Sequence, residues 1–265
     1  MKVLVTFAVE AEFAPWRSRH PFALVEMPTP IGESGYYVYR GTVLGNSVDV
    51  LLTGIGWEPN STPNRPRYLL RELLRLNPDI CISSGLAGGL APDLKAGDVV
   101  VASALSLRTG GDVIRCNSNL VSLAGEAGAR VKRMQVTETH VVSEARAKAA
   151  LGAFADFVDM ESYYILQIVS GTRIPAISIR AISDTREQNL PTGIEKVVNR
   201  EGRPQPRPLL KLLLRRPWQI PLLVSFGANS KNATVTLADF LDRFLETLDG
   251  STSEAQSKRQ RAVAQ

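Results

Sequence analysis

Cysteine and histidine are scarce in this chain, with two of each among 265 residues. Cys81 and Cys116 lie far apart with no Cys-x-x-Cys spacing, and His20 and His140 stand alone. A structural zinc site and metal dependence are therefore not expected. The N-terminal run Met1-Lys2-Val3-Leu4-Val5-Thr6-Phe7-Ala8-Val9 is too short, and too soon followed by charge, for a signal peptide or a membrane span; it reads as a first strand. Aromatic residues make up only 6% of the chain and are not interleaved with the basic ones. With no DNA-binding motif either, the net charge of +5 does not point to nucleic acid. Much of that charge is C-terminal: Arg203, Arg207, Lys211, Arg215 and Arg216 surround a leucine-rich stretch, and Lys258, Arg259 and Arg261 follow in a polar tail. Hydrophobic residues, at 44%, suffice for one large core, as in a cytoplasmic enzyme. The expected organisation is a single domain over 1–250 and a disordered polar tail over 251–265.

What the chain does have is a long glycine-rich string. Cys81-Ile82-Ser83-Ser84 suits a buried parallel strand, and Gly85, Gly88 and Gly89 then remove side chains where a loop turns or a ligand touches backbone. Pro92, Gly97 and Asp98 read as a turn into a second apolar strand beginning Val99-Val100-Val101. A glycine-rich turn after a strand is a weak signal alone; the extended string is far rarer.

Periodicity predicts strands over 2–9, 36–40, 48–53, 80–84, 98–102 and 176–181. It predicts helices over 67–76, where leucines alternate with arginines, over 161–170, and over 235–248, where Leu237, Phe240, Leu241, Phe244 and Leu245 share a face. The alternation implies an α/β fold, a mixed sheet covered by helices. From Asn189 to about Pro221 the chain is rich in proline and arginine and the sheet pattern stops.

Three acidic residues follow buried runs: Glu12 after the first strand, Glu161 after Phe157-Val158-Asp159-Met160, and Asp184 at the end of Ile177–Ser183. Open α/β sheets bind ligands beyond the carboxyl ends of their strands, so these groups can converge there. Each also has a plainer reading. Glu161 could serve only as an N-terminal helix partner, Asp184 could start a turn, and Glu12 could be a surface group.

Together, Ala8-Val9-Glu10-Ala11-Glu12, Thr53-Gly54-Ile55-Gly56, Gly85-Leu86-Ala87-Gly88-Gly89-Leu90, Gly97-Asp98-Val99-Val100, Val158-Asp159-Met160-Glu161 and Arg180-Ala181-Ile182-Ser183-Asp184 resemble the nucleoside phosphorylase and nucleosidase superfamily. The likeness, over roughly 1–185, is greatest to its methylthioadenosine/S-adenosylhomocysteine nucleosidase branch. It implies a three-layer α/β nucleoside phosphorylase fold with a central mixed sheet, a homodimer, and cleavage of the bond between purine and ribose without metal or organic cofactor. By that resemblance Asp184, protonated, would donate to N7 of adenine and accept from its exocyclic amine. Burial would help it keep the proton. Glu161 would accept the ribose 2′- and 3′-hydroxyls, Met160 would pack on the sugar, and Glu12 would activate water. Gly85, Leu86, Ala87, Gly88 and Ser183 would complete the substrate site, and Arg180 would orient it or bind an anion, if it is not a salt-bridged scaffold arginine.

The chain also departs from that branch. Leu86 stands where a serine or threonine is usual, and Val136-Thr137-Glu138-Thr139-His140-Val141 replaces a Ser-Gly-Asp-x-Phe stretch, with His140 a candidate to stack on the base. Trp57–Asn64 replaces the small residues that usually follow the Gly-x-Gly turn. A second resemblance, through Asp159-Met160-Glu161-Ser162, Gly202-Arg203-Pro204 and residues 212–221, is to hopanoid-associated phosphorylases, which act on adenosylhopane. It implies an adenosine-bearing lipid as substrate, phosphate as co-substrate and peripheral membrane contact through 203–221. Arg180, Arg65, Arg67 and the Gly54–Gly56 turn are the candidates for a phosphate site. A non-catalytic nucleoside sensor is the reading of another class.

Overall fold

The computed structural model describes residues 1–28, 37–56, 65–191, 193, 199, 205 and 216–263, with side chains as far as Ser251. Trp57–Asn64 and most of the basic stretch 203–215 fall outside the described residues. In chain order the elements are β1 (Lys2–Phe7), α1 (Glu10–Arg17), β2 (Phe22–Glu26), β3 (Tyr37–Val43), β4 (Asn46–Leu52), α2 (Arg65–Arg75), β5 (Ile80–Gly89), β6 (Val99–Leu107), β7 (Ile114–Arg115), α3 (Ser118–Glu126), β8 (Arg130–Thr137), α4 (Ala145–Leu151), β9 (Phe157–Asp159), α5 (Ser162–Ser170), β10 (Ala176–Asp184) and, after a 3-10 turn at Pro217–Gln219, α6 (Ile220–Val263).

All ten strands join one mixed sheet. β1 lies between β4 and β5, parallel to both, and β3 and β2 continue the sheet antiparallel from β4. On the other side the sheet curls and closes: β5 pairs with β10, β10 with β6, β6 with β8, β8 with β9, and β9 again with β5. Strands buried on both faces read as near-continuous apolar runs, as β1 and the first half of β5 do.

Helices cover the sheet and supply its core. On α6, Leu237, Phe240, Leu241, Phe244 and Leu245 recur at helical spacing and are fully buried, in one cluster with Phe7, Phe13, Trp16, Ile177 and Ile179. Burying a side chain of this size contributes about 1.5–3 kcal/mol each. The same helix packs along β10, β5 and α1.

Two expectations differ from what is observed. β5 does not break at Gly85 but continues as strand through Gly89. Its glycines serve close packing within the sheet rather than a turn. The helix expected over 235–248 starts at Ile220 and its backbone stays helical to Val263, where a disordered tail was expected. Residues 251–263 are rich in Ala, Glu, Gln, Lys and Arg, all good helix formers. No described helix is long and apolar enough to cross a membrane.

Candidate active site

Beyond the ends of β1, β5, β9 and β10 lies a cavity of about 810 Å³. Glu12, Leu86, Ala87, Gly88, His140, Met160, Glu161, Ser183 and Asp184 line it, together with Ala11, Ala14 and Pro15 of α1 and Phe226, Ser230 and Lys231 of α6. The α6 residues could not be anticipated from sequence, because nothing in its apolar period marks Phe226 or Lys231 as facing a pocket.

Glu12 occupies the third position of α1 and turns back on the strand that precedes it. Oε2 accepts the backbone N–H groups of Ala8 (3.0 Å) and Val9 (3.4 Å), and Oε1 accepts that of Leu86 (2.9 Å). The carboxylate therefore ties α1 to β5. Three of its roughly four acceptor sites are taken, and the residue lines the cavity. Burial raises its pKa, against the Arg180 charge and the three backbone donors, which lower it.

Asp159, not Glu161, serves the start of α5. Its Oδ2 accepts the Ser162 N–H (2.9 Å), and its Oδ1 accepts the Thr137 hydroxyl (2.6 Å). Glu161 stands at the N-cap without capping; its Oε1 instead accepts the N–H of Gly56 at 3.0 Å. The helix-partner role thus falls to Asp159, and Glu161 is free to face the cavity. Burial, reinforced by the Asp159 charge, pushes the Glu161 carboxyl up to about 8, with Arg180 and the Gly56 N–H opposing.

Arg180 and Gly85, both expected in the substrate site, are not among the residues that line the cavity. The Arg180 side chain is almost wholly buried. It pairs with Asp159 Oδ2 (2.7 Å) and donates to Ser84 O (2.8 Å), Ser83 Oγ (3.1 Å) and Ser162 Oγ (2.6 Å). It is a scaffold arginine beneath the site. Gly85, at φ +146°, leaves it room: a Cβ there would collide with the guanidinium and come within 3.0 Å of both Glu12 carboxylate oxygens.

At the end of β10 the register with β5 shifts between Ile182 and Asp184, a bulge centred on Ser183. Such a bulge re-aims the side chains beside it. Ser183 Oγ donates to Asp184 Oδ1 at 2.6 Å, and a Cβ added to Gly88 would stand only 3.3 Å from Asp184 Oδ2. The absent side chain of Gly88 keeps that oxygen clear. Oδ2 also pairs with Lys148 Nζ on α4, a residue that sequence reasoning missed. Its one signal is that Lys148 shares a helical face with buried Leu151 in an alanine-rich segment.

The other candidates fall elsewhere. Arg67 lines a separate cavity of about 520 Å³ with Arg71, Arg75 and Gln167. Cys81 and Cys116 are buried, their thiols pushed up to about 12 and about 11 by desolvation, so neither is a nucleophile. Among the described residues no group of three or more His, Cys, Asp or Glu could hold a metal ion.

Fold and cavity first define a class, a mixed α/β sheet whose strand ends carry a carboxylate-lined pocket. A sequence profile of the phosphorylase superfamily matches residues 2–205, and the chain belongs to that superfamily. The 5′-methylthioadenosine/S-adenosylhomocysteine nucleosidase of Aeromonas salmonicida (strain A449) is 26% identical over 240 residues, spanning 80% of this chain and 99% of the relative. A mutant futalosine hydrolase of Helicobacter pylori superposes with a TM-score of 0.67 at 19% identity, covering 93% of this chain and 99% of the other. A mutant 5′-methylthioadenosine/S-adenosylhomocysteine nucleosidase of the same organism, with 5′-methylthioadenosine in its active site, gives 0.66 at 18% identity, covering 92% and 98%.

Proposed function

We propose that the protein is a nucleosidase that hydrolyses the N-glycosidic bond of an adenosine-type nucleoside of the methylthioadenosine/S-adenosylhomocysteine kind, releasing adenine. The observation that carries this reading is the meeting of Glu12, Glu161 and Asp184 on one cavity, each held by a different element. The chemistry asks for a proton at the leaving purine, hydrogen bonds that hold the ribose, and a base for the attacking water. Asp184 serves the purine, Glu161 accepts the ribose hydroxyls, and the open acceptor site of Glu12 takes a proton from water. Met160 and Leu86 supply apolar contacts to sugar and base. A cavity of about 810 Å³ leaves space for a substituent at ribose C5′ beside Ala11, Ala14, Pro15 and Phe226.

Hydrolysis rather than phosphorolysis is favoured by the charges around the cavity. Among the described lining residues the only lysine or arginine is Lys231, whereas a phosphate site calls for arginines and convergent N–H groups. Arg180 is spent on Asp159 and Arg67 lines the other cavity.

The purified protein should release adenine from methylthioadenosine and S-adenosylhomocysteine at the same rate with and without phosphate, and form no sugar phosphate, as followed by chromatography. Asp184→Asn should lower turnover by about 10²–10⁴-fold, the usual worth of a general acid. Unchanged turnover would remove Asp184 from the mechanism. Nucleoside binding without adenine release would make the protein a sensor.

A further inference from the structure

Among the described residues Lys148 is the one lysine whose side chain is fully buried, at 0% exposure, and it lies against the candidate acid. Its three ammonium hydrogens have three acceptors: Asp184 Oδ2, Thr185 O at 3.1 Å and Gln188 O at 2.8 Å. The last two belong to the chain just after β10, so the ammonium fixes the segment that carries Asp184. Lys148 does not itself line the cavity. Asp184, 4% exposed, stands between it and the pocket, and the oxygen that holds Nζ is the one that Gly88 leaves clear. A buried ion pair adds little net stability over an apolar pair of the same volume. What it does provide is a proton next to the site.

We propose that Lys148 and Asp184 act as one acid, in which the proton taken by the departing purine is held on Lys148 Nζ and reaches the base through Asp184. This rests on the nucleosidase reading. As the bond between C1′ and N9 breaks, its electron pair moves into the purine ring. One N–H bond at Nζ breaks, the proton crosses to the Asp184 carboxylate, and the carboxyl group delivers a proton to the purine, where a new N–H bond forms. Nζ keeps the lone pair. Water adds to C1′ and loses a proton to Glu12, and the resting protein returns when Glu12 gives up that proton and Lys148 takes one from solvent. Lys148 acts only through Asp184, as a positioning residue that also supplies its proton.

The test compares two substrates that differ in what their leaving groups require. Adenine must be protonated to depart, whereas the phenolate of a 4-nitrophenyl 5-methylthioriboside leaves unaided. Lys148→Met should lower turnover of methylthioadenosine by about 10²–10⁴-fold and that of the nitrophenyl riboside by no more than about threefold. Lys148→Arg keeps a cation that cannot be deprotonated and should not restore the first rate. Equal losses on both substrates, or full rescue by arginine, would overturn the proposal. If Lys148→Met alone does not fold, Asp184→Asn and the double variant Asp184→Asn/Lys148→Met are compared instead. Equal rates support action through Asp184, and a further loss in the double variant overturns it. Should the unaltered protein release no adenine, the nucleosidase reading itself fails, an outcome distinct from all of these.

Discussion

Glu161 shows how one side chain's surroundings set what the site does. Its carboxyl is pushed up to about 8 by burial and by the Asp159 charge, from an ordinary value of 4.5. Below about pH 8 it therefore holds a proton. The ionised form accepts and does not donate, so it is the form that takes two ribose hydroxyls best. Nucleoside binding then favours loss of that proton below about pH 8. Affinity for a non-hydrolysable nucleoside analogue should rise with pH, by up to tenfold per unit, and level off above about 8. Calorimetry near pH 6–7 in buffers of different ionisation heat should find about one proton released per ligand. Stability follows the same sign. The unfolded chain ionises this carboxyl near 4.5 and the folded one near 8, so its contribution is greatest below 4.5 and is lost as pH climbs toward 8. Affinity that ignores pH would mean that Glu161 is already ionised before the nucleoside binds.

At the scale of elements the site depends on β5 and β10 lying side by side with little between them. Their parallel register sets Arg180 opposite Gly85 and Asp184 opposite Gly88. Gly85→Ala would set a methyl against a guanidinium that is already bonded to Ser83, Ser84, Asp159 and Ser162, at a backbone φ of +146°. Steric strain and a displaced buried charge both count against it, and the expected loss is about 3–5 kcal/mol, as for breaking a buried ion pair. Urea unfolding measures this, and a change under about 1 kcal/mol would show that Arg180 can move aside. The glycines were legible in the sequence, but their purpose was not. A glycine string after a strand reads as a turn, and only the partner strand reveals that it clears space for Arg180 and Asp184. The strands β1, β5 and β10 were readable because both their faces are buried, and β4 because Val48, Val50 and Leu51 are buried along it. β8 was missed because Arg130 and Lys132 break its apolar pattern; both pair with Asp93, and Arg130 with Asp98, contacts that depend on distant segments. α4 was missed because its alanines carry no period, and Lys148 with it.

For the whole molecule, the pocket lies where the closed ring of strands meets the two helices that flank it. α1 brings Glu12 and an apolar wall, and α6 brings Phe226, Ser230 and Lys231 from far along the chain. Besides core packing, Asp239 and Asp242 of α6 fasten these helices, Asp239 by pairing with Arg19 just after α1 and Asp242 by a wider set of contacts. Asp242 Oδ1 accepts the indole N–H of buried Trp16 at 2.7 Å and contacts His20 Nε2 at 2.8 Å, and its Oδ2 lies 3.6 Å from Arg19 Nη1. Asp242→Ala would leave the Trp16 N–H without an acceptor, at a cost of about 1–3 kcal/mol. The consequence for function follows from which wall moves. Asp184, Lys148 and Glu161 sit on the ring strands and on α4 and the start of α5, away from this link, and Glu12, though on α1, is held by the N–H groups of Ala8, Val9 and Leu86 rather than by α6, so the chemical step should be nearly preserved. Substrate contacts shared between α1 and α6 should loosen. Asp242→Ala should therefore raise KM by several-fold while leaving kcat within about threefold, a loss of binding common to ground and transition states. A fall in kcat with KM unchanged would instead place the α1–α6 contact in the chemistry, through displacement of Glu12, and would make the helix pair part of the machinery rather than its frame.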